Sequence, residues 1–295
     1  MKTFSIIGCG AVGKTLGRLF HESGVLELKD VLTRSEATAR AAVAFIGAGR
    51  PVVGFAQLEP ADLYLITCSD DAIAPCVREL CASGALGAQA LVCHVSGALG
   101  SEVLHPATQL GALVASVHPV KSFADPAAAV GDFAGTWCGV EGERRGAEQM
   151  GELFEAIGGR VFSIDPRFKA IYHAGSVLAC NCLTALVEVA VAAYGKGGLD
   201  RETALQVMEP LVRGTVENVF RSGTVAALTG PIARGDAAVV GRQLRALDEW
   251  DQEVALVYRS LGAVALELSR RRGQAGEAGL ESIEALLAGT GEDDA

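Results

Sequence analysis

The chain has 295 residues, a net charge of −10 at neutral pH and an apolar half. That length allows two domains with sizeable cores. Its acidic balance argues against nucleic acid and against an anionic membrane surface as partners. Eight cysteines form no C-x-x-C pair, and five histidines lack zinc-like spacing, so no metal site is expected. The thiols read as buried free groups of a reducing compartment, which implies a cytoplasmic protein.

An apolar run, Thr3 to Ile7, opens into Gly8-Cys9-Gly10-Ala11-Val12-Gly13, and a helix-like stretch follows from Lys14 to Ser23. Strand, G-x-G-x-x-G and helix in that order form a dinucleotide fingerprint. The first glycine permits the turn, the second lets backbone approach a pyrophosphate, and the third lets helix pack on strand. The helix N-terminus then offers free N–H groups to the phosphates. Gly8 to Gly13 are therefore expected to bind the cofactor.

A second strand ends in Thr33-Arg34-Ser35, about 20 residues beyond the glycines, where an NAD site places an Asp or Glu on the ribose. A guanidinium between two hydroxyls suits a 2′-phosphate instead. The expected cofactor is NADP(H). The run Leu63 to Cys68 ends in Ser69-Asp70-Asp71. Cys68 and Ser69 then sit at the carboxyl end of a strand, where open α/β sheets bind ligands, and the two aspartates read as a helix cap.

Two more apolar strands end in polar clusters, one at Ser96-Gly97 and one at His118-Pro119. Ser96 and His118 are thus placed at the same sheet edge as the glycine turn. Strands at 137–140 and 160–164 flank an amphipathic helix, 147–157. Strands alternating with helices predict a doubly wound, mostly parallel sheet over residues 1–165.

From Arg167 onward only helical periodicity remains, punctuated near Gly195–Gly198, Pro210, Gly230-Pro231 and Gly262. Residues 166–295 are expected to form an all-α domain, with disorder from about 288. The stretch 170–193 is apolar enough to suggest a membrane span, but His173, Asn181 and Glu188 interrupt it. It reads as the buried central helix of a soluble domain, with no membrane partner. His173 and Asn181 differ by about 80° around an ideal helix and about 12 Å along it, so they can border one groove. Thr229 precedes a Gly-Pro helix start, and Arg234 with Asp236 is either an anion site or a local ion pair.

Taken together, Gly8-x-Gly10-x-x-Gly13, Ser96-Gly97-Ala-Leu-Gly100, His118-Pro119 with Ser122-Phe123, Tyr172-His173 with Asn181, and Leu228 to Asp236 resemble the family of Rossmann-like plus DUF2520 proteins, predicted oxidoreductases. That family is similar to ketopantoate reductase, pyrroline-carboxylate reductase and 3-hydroxyacid dehydrogenases. The resemblance implies a Rossmann domain followed by a helical, 6-phosphogluconate dehydrogenase C-terminal-like domain that dimerises.

In ketopantoate reductase a catalytic lysine precedes, by eight residues, an asparagine followed by a Leu-Thr-Ala-like segment. Asn181-Cys-Leu-Thr-Ala matches that segment, with His173 at the lysine position and Val177 in place of an intermediate asparagine. Lys169 lies in another phase of the helix. The implied activity is NADPH-dependent hydride transfer to a C=O or C=N carbon of a small acid. A ketopantoate-like 2-oxo acid is the first substrate expected and a cyclic imino acid the second. His173 would donate the proton, with His118 in reserve. Asn181 and Ser96 would orient the substrate, and Thr229, Arg234 and Asp236 would bind it. The rival expectation is a non-catalytic NADP-binding regulatory protein.

Overall fold

A computed structural model describes residues 2–289. β1 (Lys2–Ile7) has four consecutive buried residues, Phe4 to Ile7. Burial without alternation means that both faces are covered, as in a central parallel strand. The chain continues through α1 (Ala11–Glu22), β2 (Leu26–Leu32), α2 (Glu36–Ile46), β3 (Arg50–Val52), β4 (Leu63–Ile66), α3 (Asp70–Ala82) and β5 (Leu91–His94). It goes on through α4 (His105–Thr108), β6 (Leu113–Pro119), α5 (Pro126–Gly131), β7 (Trp137–Gly142), α6 (Arg144–Ala156) and β8 (Arg160–Ser163).

The eight strands run in the order β3-β2-β1-β4-β5-β6-β7-β8. All described pairs are parallel except β6 with β7. The order reverses between β1 and β4, where Ile7 pairs with Ile66. Such a reversal leaves a crevice beyond the carboxyl ends of the strands. One face of the sheet packs Phe4, Ile6 and Leu65 with Leu16 and Phe20 of α1. The other packs Ile7, Tyr64 and Ile66 with Ile73 and Val77 of α3. Phe20 meets Phe4 and Phe154 edge-on, at 5.9 and 5.6 Å between centroids.

The chain divides into two compact units, one through Cys182 and one from Leu183 onward. The helical run expected from residue 166 is therefore split. Its first part, α7 (Lys169–Val177) with a π-turn at Leu178–Cys182, belongs to the sheet-bearing unit. The physical reason is local: Lys169 at the start of α7 is buried in an ion pair with Glu141 of β7.

The second unit holds α8 (Leu183–Lys196), α9 (Arg201–Ala227), α10 (Pro231–Arg234), α11 (Ala237–Trp250), α12 (Gln252–Arg272) and α13 (Glu277–Leu287). Asp200, Asp236 and Asp251 accept backbone N–H bonds at the starts of α9, α11 and α12. Val240, Leu244, Leu266, Leu280, Ile283 and Leu287 form one core, and Val191, Ala204 and Met208 a smaller one.

Several expectations are corrected. Pro210 does not end its helix; the break in α9 falls at Gly223, where φ is +79°. Gly262 lies inside α12, and a Cβ there would meet Leu287 at 2.7 Å, so this glycine serves packing and not a stop. The stretch 166–196 is long and holds an 18-residue window with a mean hydropathy of 1.9, but only 6% of that window is buried. It is not a buried helix of this chain: Ile171 and Leu178 are 71% and 66% exposed. Nor are all the thiols buried, since Cys180 and Cys182 are exposed. Of the tail expected to be disordered, residues 290–295 lie outside the described residues.

Candidate functional site

The turn after β1 carries the first half of the site. Gly8 has φ +76°, a conformation that costs a side-chain-bearing residue energy, and its N–H donates to the Leu32 carbonyl at 2.8 Å. A Cβ on Gly8 would come within 2.7 Å of Cys68, and one on Gly13 would run into the Thr67 hydroxyl. Thr67 Oγ1 in turn donates to the Gly8 carbonyl. Around Gly10 the space is open, and Gly10 caps α1 with no side chain and no acid in the first turn. The leading N–H groups of α1 thus remain available to an anion.

A cleft of about 560 Å³ lies over this turn, lined by Gly8, Cys9, Gly10, Thr33, Arg34, Cys68 and Ser69 among others. These residues and the open space at Gly10 fit a dinucleotide's phosphates. Arg34 is exposed just beyond β2, whose end carries no acid; Glu36, at the start of α2, pairs with Arg40. Ser35 instead caps α2, accepting from the Thr38 N–H at 3.2 Å, and Thr33 Oγ1 donates to the Ser35 carbonyl. Ala11 and Gly13 lie outside the lining, Gly13 serving the helix–strand approach. Asp70 and Asp71 do not cap α3. Ser69 holds the cap position, and the aspartates occupy the first turn, where their charge meets the positive helix end.

A second pocket, about 290 Å³, adjoins the first through Thr67 and Cys68. Val12, Asp70, Ser96, Gly97, His118, Lys121 and His173 line it. The rings of His118 and His173 are 5.6 Å apart. A Cβ on Gly97 would lie 2.7 Å from His118 Nε2 and against His173 Cδ2. Both imidazoles thus close on one bare glycine backbone. Tyr172 Oη is 3.0 Å from His118 Nδ1. Burial, then the charges of His173 and Lys169, pull His118 down to about 4, so it is neutral at physiological pH. When Tyr172 donates to Nδ1, the ring proton rests on Nε2, facing Gly97. Ser96 Oγ accepts from the Ala98 and Leu99 N–H groups, which shapes the turn.

Beneath this pocket lies a polar network that sequence reasoning missed. Lys169 Nζ, 1% exposed, donates to Glu141 Oε1 at 2.9 Å and to Ser116 Oγ. Glu141 also accepts from the Ser101 N–H and hydroxyl at 2.9 and 2.7 Å. His94 Nδ1 accepts from the Ser96 N–H at 3.2 Å, so Nε2 carries the proton and donates to the Gly100 carbonyl. Burial, opposed by Glu141, pulls the Lys169 ammonium below the ordinary lysine range. The network ties the first turn of α7 to the sheet and to the Ser96–Ser101 loop. It thereby positions Tyr172 and His173 three and four residues further on. The signal in the sequence was a Lys and a Glu in apolar surroundings, but their separation of 28 residues hid the pairing.

The remaining expected site residues lie elsewhere. Asn181 is exposed on the π-turn, outside both pockets. The π-turn also shifts the helical phase, so the angle derived for an ideal helix does not hold. Thr229, Arg234 and Asp236 belong to the helical unit. Asp236 is engaged as the cap of α11, at 3.1 Å from the Val239 N–H. Arg234 is exposed, and no ion pair with Asp236 occurs among the described residues. Those residues also hold no cluster of three or more metal-ligating side chains.

Comparison with known proteins is consistent with these two halves. A Rossmann-like domain model matches residues 2–119, and a model described as a domain of unknown function, DUF2520, matches residues 136–265. No curated protein matches the sequence significantly. The crystal structure of protein TM1727 from Thermotoga maritima is 25% identical and has a TM-score of 0.73, covering 92% of this chain and 99% of that one. An imine reductase variant from Myxococcus stipitatus in complex with NAD+ is 18% identical, with a TM-score of 0.63 and coverage of 96% and 99%. Plasmodium falciparum pyrroline carboxylate reductase with NADP bound is 15% identical, with a TM-score of 0.53 and coverage of 97% and 98%. With its glycine turn, its reversed strand order and both domain models in sequence, the chain carries a Rossmann-like domain followed by a DUF2520 domain.

Proposed function

We propose that the protein is an NADP(H)-dependent reductase acting on the C=O or C=N carbon of a small 2-oxo or imino acid. The observation that supports this best is the junction of the two pockets. The cleft over the glycine turn meets, at Thr67 and Cys68, a pocket walled by two imidazoles. When bound, the dinucleotide supplies a hydride to the substrate carbon.

The chain's own residues do the rest. The glycine turn and the start of α1 hold the phosphates, and Arg34 takes the 2′-phosphate. His173 donates a proton to the developing alkoxide or amine. His118, neutral and held by Tyr172, offers Nε2–H to the same atom. Lys121, which also lines the second pocket, pairs with Asp132 at 2.9 Å and can turn to a substrate carboxylate. Two fold relatives named for imine and pyrroline carboxylate substrates place C=N compounds in the first panel, beside ketopantoate-like 2-oxo acids.

The test is NADPH oxidation against that panel. His173→Ala is expected to lower kcat by about 10²–10⁴. Turnover unaffected by the substitution removes His173 from the mechanism. NADPH binding with no turnover on any substrate favours the non-catalytic nucleotide-binding protein.

We further propose that a second copy covers the exposed apolar helices. Phe220 is 86% exposed, Leu211 62% and Val264 60%, an unusual surface for a lone soluble chain. Light scattering on the eluting protein is expected to read a dimer, and a stable monomer overturns the idea.

A further inference from the structure

Cys68 and Cys76 stand with their sulfurs 3.9 Å apart, the Cys68 thiol donating to the Cys76 sulfur. Cys68 follows β4, and Cys76 lies in the second turn of α3. Both line the 560 Å³ cleft, and Cys68 also lines the adjoining pocket of the imidazoles. Cys68 Cβ is 2.7 Å from where a side chain on Gly8 would begin, so Cys68 abuts the glycine turn. Three other thiols differ in kind: Cys9, Cys93 and Cys138 are buried, and burial pushes each up to about 12. Cys76, by contrast, is held below the ordinary thiol value by the hydrogen bond from Cys68. It is the one of the pair suited to attack.

We propose that Cys68 and Cys76 are a redox-modified pair, which a low-molecular-weight disulfide converts to an intramolecular disulfide inside the cleft. The Cys76 thiolate attacks one sulfur of the small disulfide, forming a mixed disulfide and expelling one small thiolate. Cys68 then loses its proton and attacks Cys76 Sγ, expelling the second small thiolate. Two protein thiols are oxidised, one small disulfide is reduced to two thiols, and the two protons pass to those thiols. Closing 3.9 Å to a bond of about 2.05 Å moves the sulfurs together by just under 2 Å. Because Cys68 packs on Gly8, that movement reaches the backbone that would cradle the phosphates. Formation of the bond stands alone; its effect on nucleotide affinity rests on the reading of the cleft given under the proposed function.

The experiment treats the full-length protein with oxidised glutathione, then alkylates and digests it with trypsin. Both thiols fall in peptide 41–78, which holds no other cysteine. The expected product is that peptide two hydrogens lighter, closed to alkylation and restored by dithiothreitol. Mixed disulfides at the exposed Cys180 and Cys182 appear in other peptides. Two alkylatable thiols, or a stable mixed disulfide alone, overturn the pair. Measured by NADPH fluorescence, oxidation is expected to weaken binding at least tenfold, and Cys76→Ser is expected to abolish that response. Unchanged affinity in the cross-linked protein overturns the coupling. If the reduced protein binds no NADPH, the nucleotide reading fails, and the peptide map still decides the thiol pair.

Discussion

The phenolic oxygen of Tyr172 lies 3.0 Å from Nδ1 of His118, 54 residues earlier in the chain. The contact joins the end of β6 to α7 and leaves the far nitrogen of His118 facing Gly97. Tyr172→Phe keeps the ring that packs on His118 and Phe162 and removes only the hydroxyl. Loss of one such bond, about 1–1.5 kcal/mol, is expected to lower kcat roughly tenfold with little change in KM. A kcat equal to wild type would take the Tyr172–His118 pair out of the chemistry.

On the proposed reading, Arg34 sets the cofactor preference. With no carboxylate at the tip of β2, Arg34→Ala is expected to weaken NADPH binding at least tenfold and NADH binding far less. Titration of both nucleotides by fluorescence decides it, and equal losses would show that Arg34 does not touch the 2′-phosphate.

The Lys169–Glu141 pair is expected to show its strength only when split. Lys169→Met leaves a buried carboxylate without its cation, a loss of about 3–5 kcal/mol. Adding Glu141→Gln to that variant is expected to restore much of the stability in urea unfolding. A single variant as stable as wild type would mean that the ammonium is dispensable to the fold.

Acid stability follows from His94. Burial, then the charge of Lys169, lowers it to about 4, against about 6.5 in an unfolded chain. Between those values the unfolded state binds more protons, so the stability present above pH 6.5 is lost as pH falls toward 4. One such group amounts to about 3 kcal/mol. Unfolding in urea at pH 7, 5.5 and 4.5 is expected to show the decline, and His94→Gln to reduce it, His118 supplying the remainder. A wild-type profile level across that range would contradict the assignment.

Local features were legible in the sequence, and long-range ones were not. Gly8 to Gly13 announced the strand, turn and helix because those three are contiguous. Ser96 and His118 were placed by the ends of their strands, and His173 by its polarity within an apolar helix and by the resemblance; all three line one pocket. Lys169 was set aside on helical phase, since its partner lies on a strand 28 residues earlier. Hydropathy marked 170–193 correctly as apolar, but it does not say whether an apolar stretch is buried within its own chain. Asp236 was weighed as a ligand although its position before an apolar helix already fitted a cap.

Gly97 has one more consequence. A methyl group there would overlap the His118 and His173 rings, which pack on the bare backbone in a chamber near the lower limit of small-molecule sites, about 300 Å³. Gly97→Ala would displace those rings while sparing the cradle over Gly8, so that, on the proposed reading, holding a nucleotide and using it would part company at a single carbon.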